Sequence, residues 1–151
     1  MHREYFETRF WVSVDDIRHF EVFEESDWVV LSAFATTGQT WTLEQNAAAD
    51  LALAARVSGV SPRVRVIGYS PRTMHAEPSW VVPLGLETGR GLGVEFAQDA
   101  IYWISGGDLY VVRSLGGVAY WVDAWRERLD WLDAETMCER LEGYLPRGFQ
   151  L

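Results

Sequence analysis

Apolar residues recur along this chain at two spacings, and each spacing predicts a different kind of element. Phe10, Val12 and Val14 alternate with Trp11 and Ser13, the period of a strand with one face on a core. Asp15 and Asp16 end it. Ile17, Phe20 and Phe23 recur at every third position before Glu25, which fits a short helix and an irregular strand equally. Trp28 to Phe34 is an apolar run interrupted only by Ser32, the pattern of a buried strand, and Ala35 to Thr40 is a polar turn around Gly38. Leu43 to Ser58 then reads as a helix. Thr42 and Gln45 form a capping box at its start and Gly59 is the expected C-cap. The stretch Ala47 to Ala55 is apolar on most sides, so this helix is expected to be buried. Asn46 and Asp50 lie four apart on one stripe with Leu43, Leu53 and Val57, close to the preceding turn.

Pro62 opens the next segment, where Arg63 and Arg65 alternate with Val64 and Val66 in a strand reaching Tyr69. Ser70 to Ala76 is a loop, and Glu77 to Pro83 a short strand bounded by prolines, expected near a sheet edge. Leu86 to Gln98 reads as a helix with Leu92 and Phe96 inward. Its Gly89, Gly91 and Gly93 do not make a dinucleotide loop, because Val94 stands where that fingerprint needs glycine; close backbone packing is the better explanation. Ala100 to Ser105 and Leu109 to Val112 flank the turn Gly106 to Asp108 as a hairpin. Val118 to Val122 reads as a strand running into a helix, since Trp125, Leu129 and Leu132 continue at helical spacing. Asp133 caps a last helix carrying Met137, Leu141 and Tyr144, which Pro146 stops.

These elements predict a single α+β domain over residues 1–151. Its sheet is expected to be largely antiparallel or mixed, with about five to six strands and two to four packed helices. Residues 1–112 form the expected core and 113–151 an extension packed on it.

Charge narrows the partners. Asp plus Glu outnumber Arg by 22 to 13, for a net charge of −9, which repels phosphate backbones and anionic lipid heads. Nucleic acid and membrane are therefore not expected partners; a basic protein is. The lone Cys138, expected to be buried and inert, excludes an internal disulfide. With His2, His19 and His75 scattered, no metal-ligand spacing is present, and no cofactor is expected. The N-terminal residues lack the apolar core of a secretory signal and no apolar run is long enough to span a membrane, so the expected location is the cytoplasm.

The series Ser32-Ala-Phe34, Gly38, Glu44-Gln-Asn46, Glu77-Pro-Ser-Trp80, Phe96-Ala-Gln98 and Ala100-Ile-Tyr102 resembles a bacterial family known as domain of unknown function 3293, over roughly Tyr5 to Val112. The family pattern has Asn-Pro where Ala35-Thr36 stand here, a departure in the polar turn. The resemblance implies a fold and a set of positions but no reaction. It singles out Asn46, Glu77, Ser79 and Gln98, polar residues at the edges of apolar elements.

Each of these has a structural and a functional reading. Glu77 is either a general base with its pKa raised beside Trp80 and Tyr69, or a clip for loop amides or a partner for Arg72. Ser79 has no evident His partner for a nucleophilic role. Asn46 and Gln98 suit a ligand and a turn equally by chemistry. Two hypotheses follow. The first is a non-catalytic interaction module, inhibitor-like or immunity-like, that engages a basic partner through Trp121, Asp123, Trp125, Glu127 and Asp130. The alternative is a small-ligand-binding protein or enzyme with a polar pocket built from Asn46, Glu77, Ser79 and Gln98. Unless Arg65 or Arg72 reaches it, such a pocket suits a neutral or cationic ligand better than a phosphate.

Overall fold

The computed structural model describes residues 1–22, 25–36 and 38–145. The chain runs α1 (Glu4–Glu7), β1 (Arg9–Ser13), α2 (Ile17–Val22), β2 (Trp28–Leu31), α3 (Leu43–Arg56), β3 (Val64–Tyr69) and β4 (Ala76–Val82). It continues through α4 (Leu86–Glu95), β5 (Ala100–Ser105), β6 (Asp108–Arg113), β7 (Tyr120–Ala124), β8 (Leu129–Leu132) and α5 (Ala134–Tyr144). One sheet holds all eight strands in the order β7-β6-β5-β2-β4-β3-β1-β8. Neighbours are antiparallel except β1 and β8, which are parallel. The α+β class and the single sheet follow the expectation. Among the described residues the eight strands exceed the expected five to six.

The sheet has to curl. Laid flat, eight strands would span about 34 Å across. The end strands β7 and β8 are joined only by the 3-10 turn Trp125–Arg128, which bridges less than about 20 Å. The two ends are therefore drawn together over the concave face. Trp125 fills the gap, its ring 5.0 Å from that of Phe10 and 6.0 Å from that of Phe20 on α2.

Strand alternation sorts the core into two layers. Trp28 and Val30 of β2 enter the concave cluster with Phe10, Val12, Val66, Ile104 and Val111. Val29 and Leu31 enter the convex cluster, where Leu53 and Ala54 of α3 and Leu92 of α4 cover them. A third cluster seats Met137 of α5 against Trp11 and Ile67. Within the convex layer α4 lies unusually close to the sheet, because a Cβ at Gly89 would stand 2.6 Å from Val29 Cγ1, and one at Gly93 would overlap Ser114 Oγ. Close packing is thus the role of these two glycines.

Several expectations need correction. The strand from Glu77 is not at the sheet edge: β4 lies between β2 and β3. Locally, however, β2 pairs with β4 only from Trp80 to Val82. Pro78, which has no N–H to donate, therefore sits where β4 has β3 alone beside it. The strand from Val118 does not run into an α-helix: it is followed by the short 3-10 turn Trp125–Arg128 and then by β8. The helical spacing of Trp125, Leu129 and Leu132 is overridden by pairing of β8 with β1, in which Phe10 faces Leu129 and Val12 faces Trp131. Helix α3 has the expected capping box, but its C-cap is Val57 rather than Gly59, and its Ala48, Ala52 and Ala55 are exposed. Alanine tolerates water, so an alanine-rich helix can lie on a sheet by one stripe. Helix α4 stops at Glu95, where Ala97 takes a left-handed φ of 55°. Cys138 is exposed. The Asp133 cap of α5 is present; the expected stop at Pro146 and the place of Phe23 lie outside the described residues. Of the eight tryptophans, Trp11, Trp28, Trp80 and Trp125 are buried, while Trp121 and Trp131 are exposed. No helix among the described residues is long and apolar enough to cross a membrane.

Candidate functional site

The central strand β2 ends at Leu31, and both of its neighbours continue past it. On one side β4 runs on through Ser79 to Ala76. On the other, β5 extends beyond Tyr102 to Ala100. The chain leaving β2 peels away as a polar loop and opens a cavity of about 470 Å³ at this end of the concave face. Ser32, Ala35, Thr36, Gly38, Gln39 and Thr40 of that loop line one wall. Phe10, Tyr5, Val30 and Tyr102 supply an apolar and aromatic floor, and Glu77, Ser79, His75 and Gln98 supply polar groups.

Gly68 explains part of the space. In register it lies between Phe10 on β1 and Glu77 on β4, and it too lines the cavity. A Cβ there would meet the Phe10 ring at 3.4 Å. Having no side chain, Gly68 leaves room that any other residue in the row would occupy.

The loop is held from both sides. Asn46 Oδ1 on α3 accepts the Ala35 N–H at 2.8 Å. Gln98 Nε2 donates to the Phe34 carbonyl at 2.8 Å and to that of Phe96 at 3.2 Å. Thr36 Oγ1 accepts the Asp99 N–H at 3.2 Å. Asn46 is thus a clip behind the loop and is not among the cavity's lining, whereas Gln98 serves as a clip and lines it. Of the four residues proposed for a pocket, Glu77, Ser79 and Gln98 meet at one cavity and Asn46 stands behind its wall.

Ser79 donates its hydroxyl to the Glu77 carbonyl at 3.2 Å. His75 Nε2 is 3.0 Å from Glu77 Oε1. That hydrogen bond raises the His75 pKa above its ordinary value; burial opposes the rise, and the charges of Glu77 and Glu4 add to it. Tyr102 is driven the same way by burial, so its phenol stays neutral and donates to the Tyr5 carbonyl at 2.8 Å. Neither Arg65 nor Arg72 reaches the cavity: Arg65 is paired with Asp50 on the convex side, and Arg72 with Glu7 at 2.9 Å and Glu4 at 3.7 Å. Among the described residues no group of three or more His, Cys, Asp or Glu side chains could hold a metal ion.

The sequence reading missed Ser32, Gly68, His75 and Tyr102 as lining residues. Ser32 and Tyr102 lie in the short motifs that carry the family resemblance, so that signal was present. Gly68 and His75 carried none, since only the register of β3 on β4 and the path of the following loop bring them to the cavity.

The residues proposed for a protein interface lie on β7, the turn after it and the start of β8. Trp121 on β7 is 57% exposed and its indole N–H donates to Asp108 at 3.1 Å. Trp125 is a correction: at 2% exposure it belongs to the core and presents no surface. Asp123 accepts from Arg128 at 2.9 Å, and Glu127 is exposed in the turn after β7. Asp130, on β8 at the far end of the strand order, accepts two bonds from Arg9 at 2.8 and 3.0 Å and one from the Tyr69 hydroxyl.

No curated protein and no solved structure matches the chain. One family model does, over residues 31–101, and its description is Protein of unknown function (DUF3293). That stretch runs from the last residue of β2 to the second of β5 and contains Asn46, Glu77, Ser79 and Gln98. Over the segment that builds the loop wall, Glu77, Ser79 and Gln98 of the cavity, the chain thus resembles the DUF3293 family.

Proposed function

We propose that this is a small-ligand-binding protein whose cavity at the end of β2 holds a small polar organic molecule. The observation that carries the reading is convergence: Ser32, Glu77, Ser79 and Gln98 come from separate segments to one concavity of about 470 Å³. Its aromatic floor and volume are those of ligand pockets. No reaction is assigned. A cytoplasmic location belongs to the same reading, in keeping with a chain whose single cysteine can form no internal disulfide.

The test is a fragment screen followed by amide chemical shifts. Binders are expected to move the amides of residues 32–40, 77–79 and 98–102, and Gly68→Leu, which fills the floor, is expected to abolish the shifts. Perturbations confined to other surfaces, or none with any fragment, would sink the reading.

A second reading, an interaction module for a basic protein, is favoured by one feature. Leu115, Val118, Tyr120 and Trp121 are exposed apolar residues along and before β7, an end strand of the sheet, on a chain of net charge −9. Salt-sensitive binding of a purified basic protein, lost in Trp121→Ala, would support it; binding unchanged by that substitution would remove it.

A further inference from the structure

The charges and rings of the cavity go further than "small and polar". Resting on the cavity reading above, we propose that its ligand is a small organic cation, an ammonium or guanidinium group held by the Glu77 carboxylate against the rings of Tyr5, Phe10 and Tyr102. Four observations lead there.

The first is the sign of the charge. Glu77 and Glu4 line the cavity, no Arg among the described residues does, and the chain contains no Lys. An anionic ligand would enter against both carboxylates; Arg72 offsets Glu4 from 3.7 Å, whereas Glu77 has only the His75 imidazole beside it. The second is unused acceptor capacity. Glu77 Oε1 meets His75, whereas Oε2 makes no hydrogen bond within the described residues. With the Glu77 side chain 24% exposed, that oxygen is open to a donor entering the cavity, and a charged donor forms the stronger bond.

The third observation is the aromatic corner. Tyr102 meets Tyr5 and Phe10 edge to face, with centroids 6.2 and 5.5 Å away. Tyr5 and Tyr102 are only partly buried and give the cavity aromatic surface, with Phe10, 1% exposed, packed behind them, and ring faces attract alkylammonium and guanidinium groups. The fourth is that the chain already carries a stand-in. The imidazole of His75, when protonated, is itself a cation on the Glu77 carboxylate. With its side chain 61% exposed, it is free to swing away when a ligand cation takes its place.

A matched series separates this inference from the reading beneath it. n-Butylammonium, n-butylguanidinium, n-butanol and butyrate are titrated into the protein at pH 8 and followed by amide shifts. The expected result is binding of one or both cations at the residues of the cavity. Affinity should fall about tenfold or more in Glu77→Gln, which removes a charged acceptor and keeps the shape. Preserved amide dispersion of that variant shows that it is folded. If butanol or butyrate binds at the cavity as tightly as its cationic counterparts, or if Glu77→Gln leaves cation affinity unchanged, the cation inference is overturned while the cavity reading stands. If no member of the series shifts the cavity amides and Gly68→Leu changes nothing in the fragment screen, both are overturned.

Discussion

Asp50 on α3 and Arg65 on β3 form a two-pronged ion pair between helix and sheet. Arg65 Nη1 donates to Asp50 Oδ1 at 2.8 Å and Nη2 donates to Oδ2. The carboxylate is 1% exposed, and the guanidinium lies 4.4 Å from the centroid of the Trp80 ring. A carboxylate buried to this degree is tolerated only because both of its oxygens are met. The pair therefore fixes how α3 sits on the sheet, and with it the Asn46 clip on the cavity loop. We expect Arg65→Met to cost about 3 kcal/mol or more, because it strands the buried charge. The double variant Asp50→Leu/Arg65→Met should cost clearly less than Arg65→Met alone. Urea unfolding of the single and double variants checks this; a double variant at least as damaged as Arg65→Met would refute it.

The three glycines of α4 should separate by position. Nothing lies within 4 Å of a Cβ built on Gly91, so Gly91→Ala should stabilise by about 1 kcal/mol through helix propensity. Gly89→Ala and Gly93→Ala should destabilise by about 1–3 kcal/mol, since Val29, Ile101 and Ser114 are in the way. Thermal unfolding that ranks all three alike would show that α4 does not rest on these contacts.

Acid should destabilise the fold, and Asp130 should be one reason. The Arg9 hydrogen bonds hold its carboxyl below the usual carboxylate range, with burial opposing and the Tyr69 hydroxyl adding. Arg72 lowers Glu7, and the Thr136 N–H lowers Asp133. A carboxyl with a depressed folded pKa contributes stability above its unfolded value, about 4, and loses it as pH falls through the folded pKa. Asp16, raised by burial, acts in the opposite sense. Urea midpoints between pH 7 and pH 2.5 should fall less steeply for Asp130→Asn than for the parent chain. Parallel curves would mean that the Arg9–Asp130 pair is absent in solution.

His75 should titrate above its ordinary 6.5, and Glu77 should be the reason. Because the folded pKa is raised, the stability it brings is fully present below the unfolded pKa and is lost as pH rises through the folded one. The ring resonance of His75, followed by NMR, should shift to a lower midpoint in Glu77→Gln. Glu77 of β4 and Glu4 of α1 are the acidic groups facing it, and Arg72 is engaged by Glu4 and Glu7. Deprotonation frees Glu77, so n-butylammonium affinity should rise through the same midpoint. An unmoved His75 midpoint in the variant would break the proposed partnership.

Much of this fold was written locally. The capping box of Thr42 and Gln45, the Asp133 cap and the β5–β6 hairpin are each decided by residues a few positions apart, and they were legible for that reason. The end of the chain was not. Leu129 to Leu132 has no local preference strong enough to exclude a helix, and it becomes a strand because β1, more than a hundred residues earlier, offers a free edge. Trp125 failed as a surface residue on the same account: its place is set by the turn that brings the two ends of the sheet together.

The site divides along the same line. Sequence alone determined the α+β class, the starts of α3, α4 and α5, the acidic balance and the polar residues worth following, because period, capping and charge are properties of short stretches or of composition. Which of those residues meet was decided by tertiary structure. Glu77, Ser79 and Gln98 share a cavity because β2 stops at Leu31 while β4 and β5 continue, and because Gly68 stands opposite Glu77. Strand length and register against distant partners are set by the energy of the whole sheet, and no window of sequence contains them.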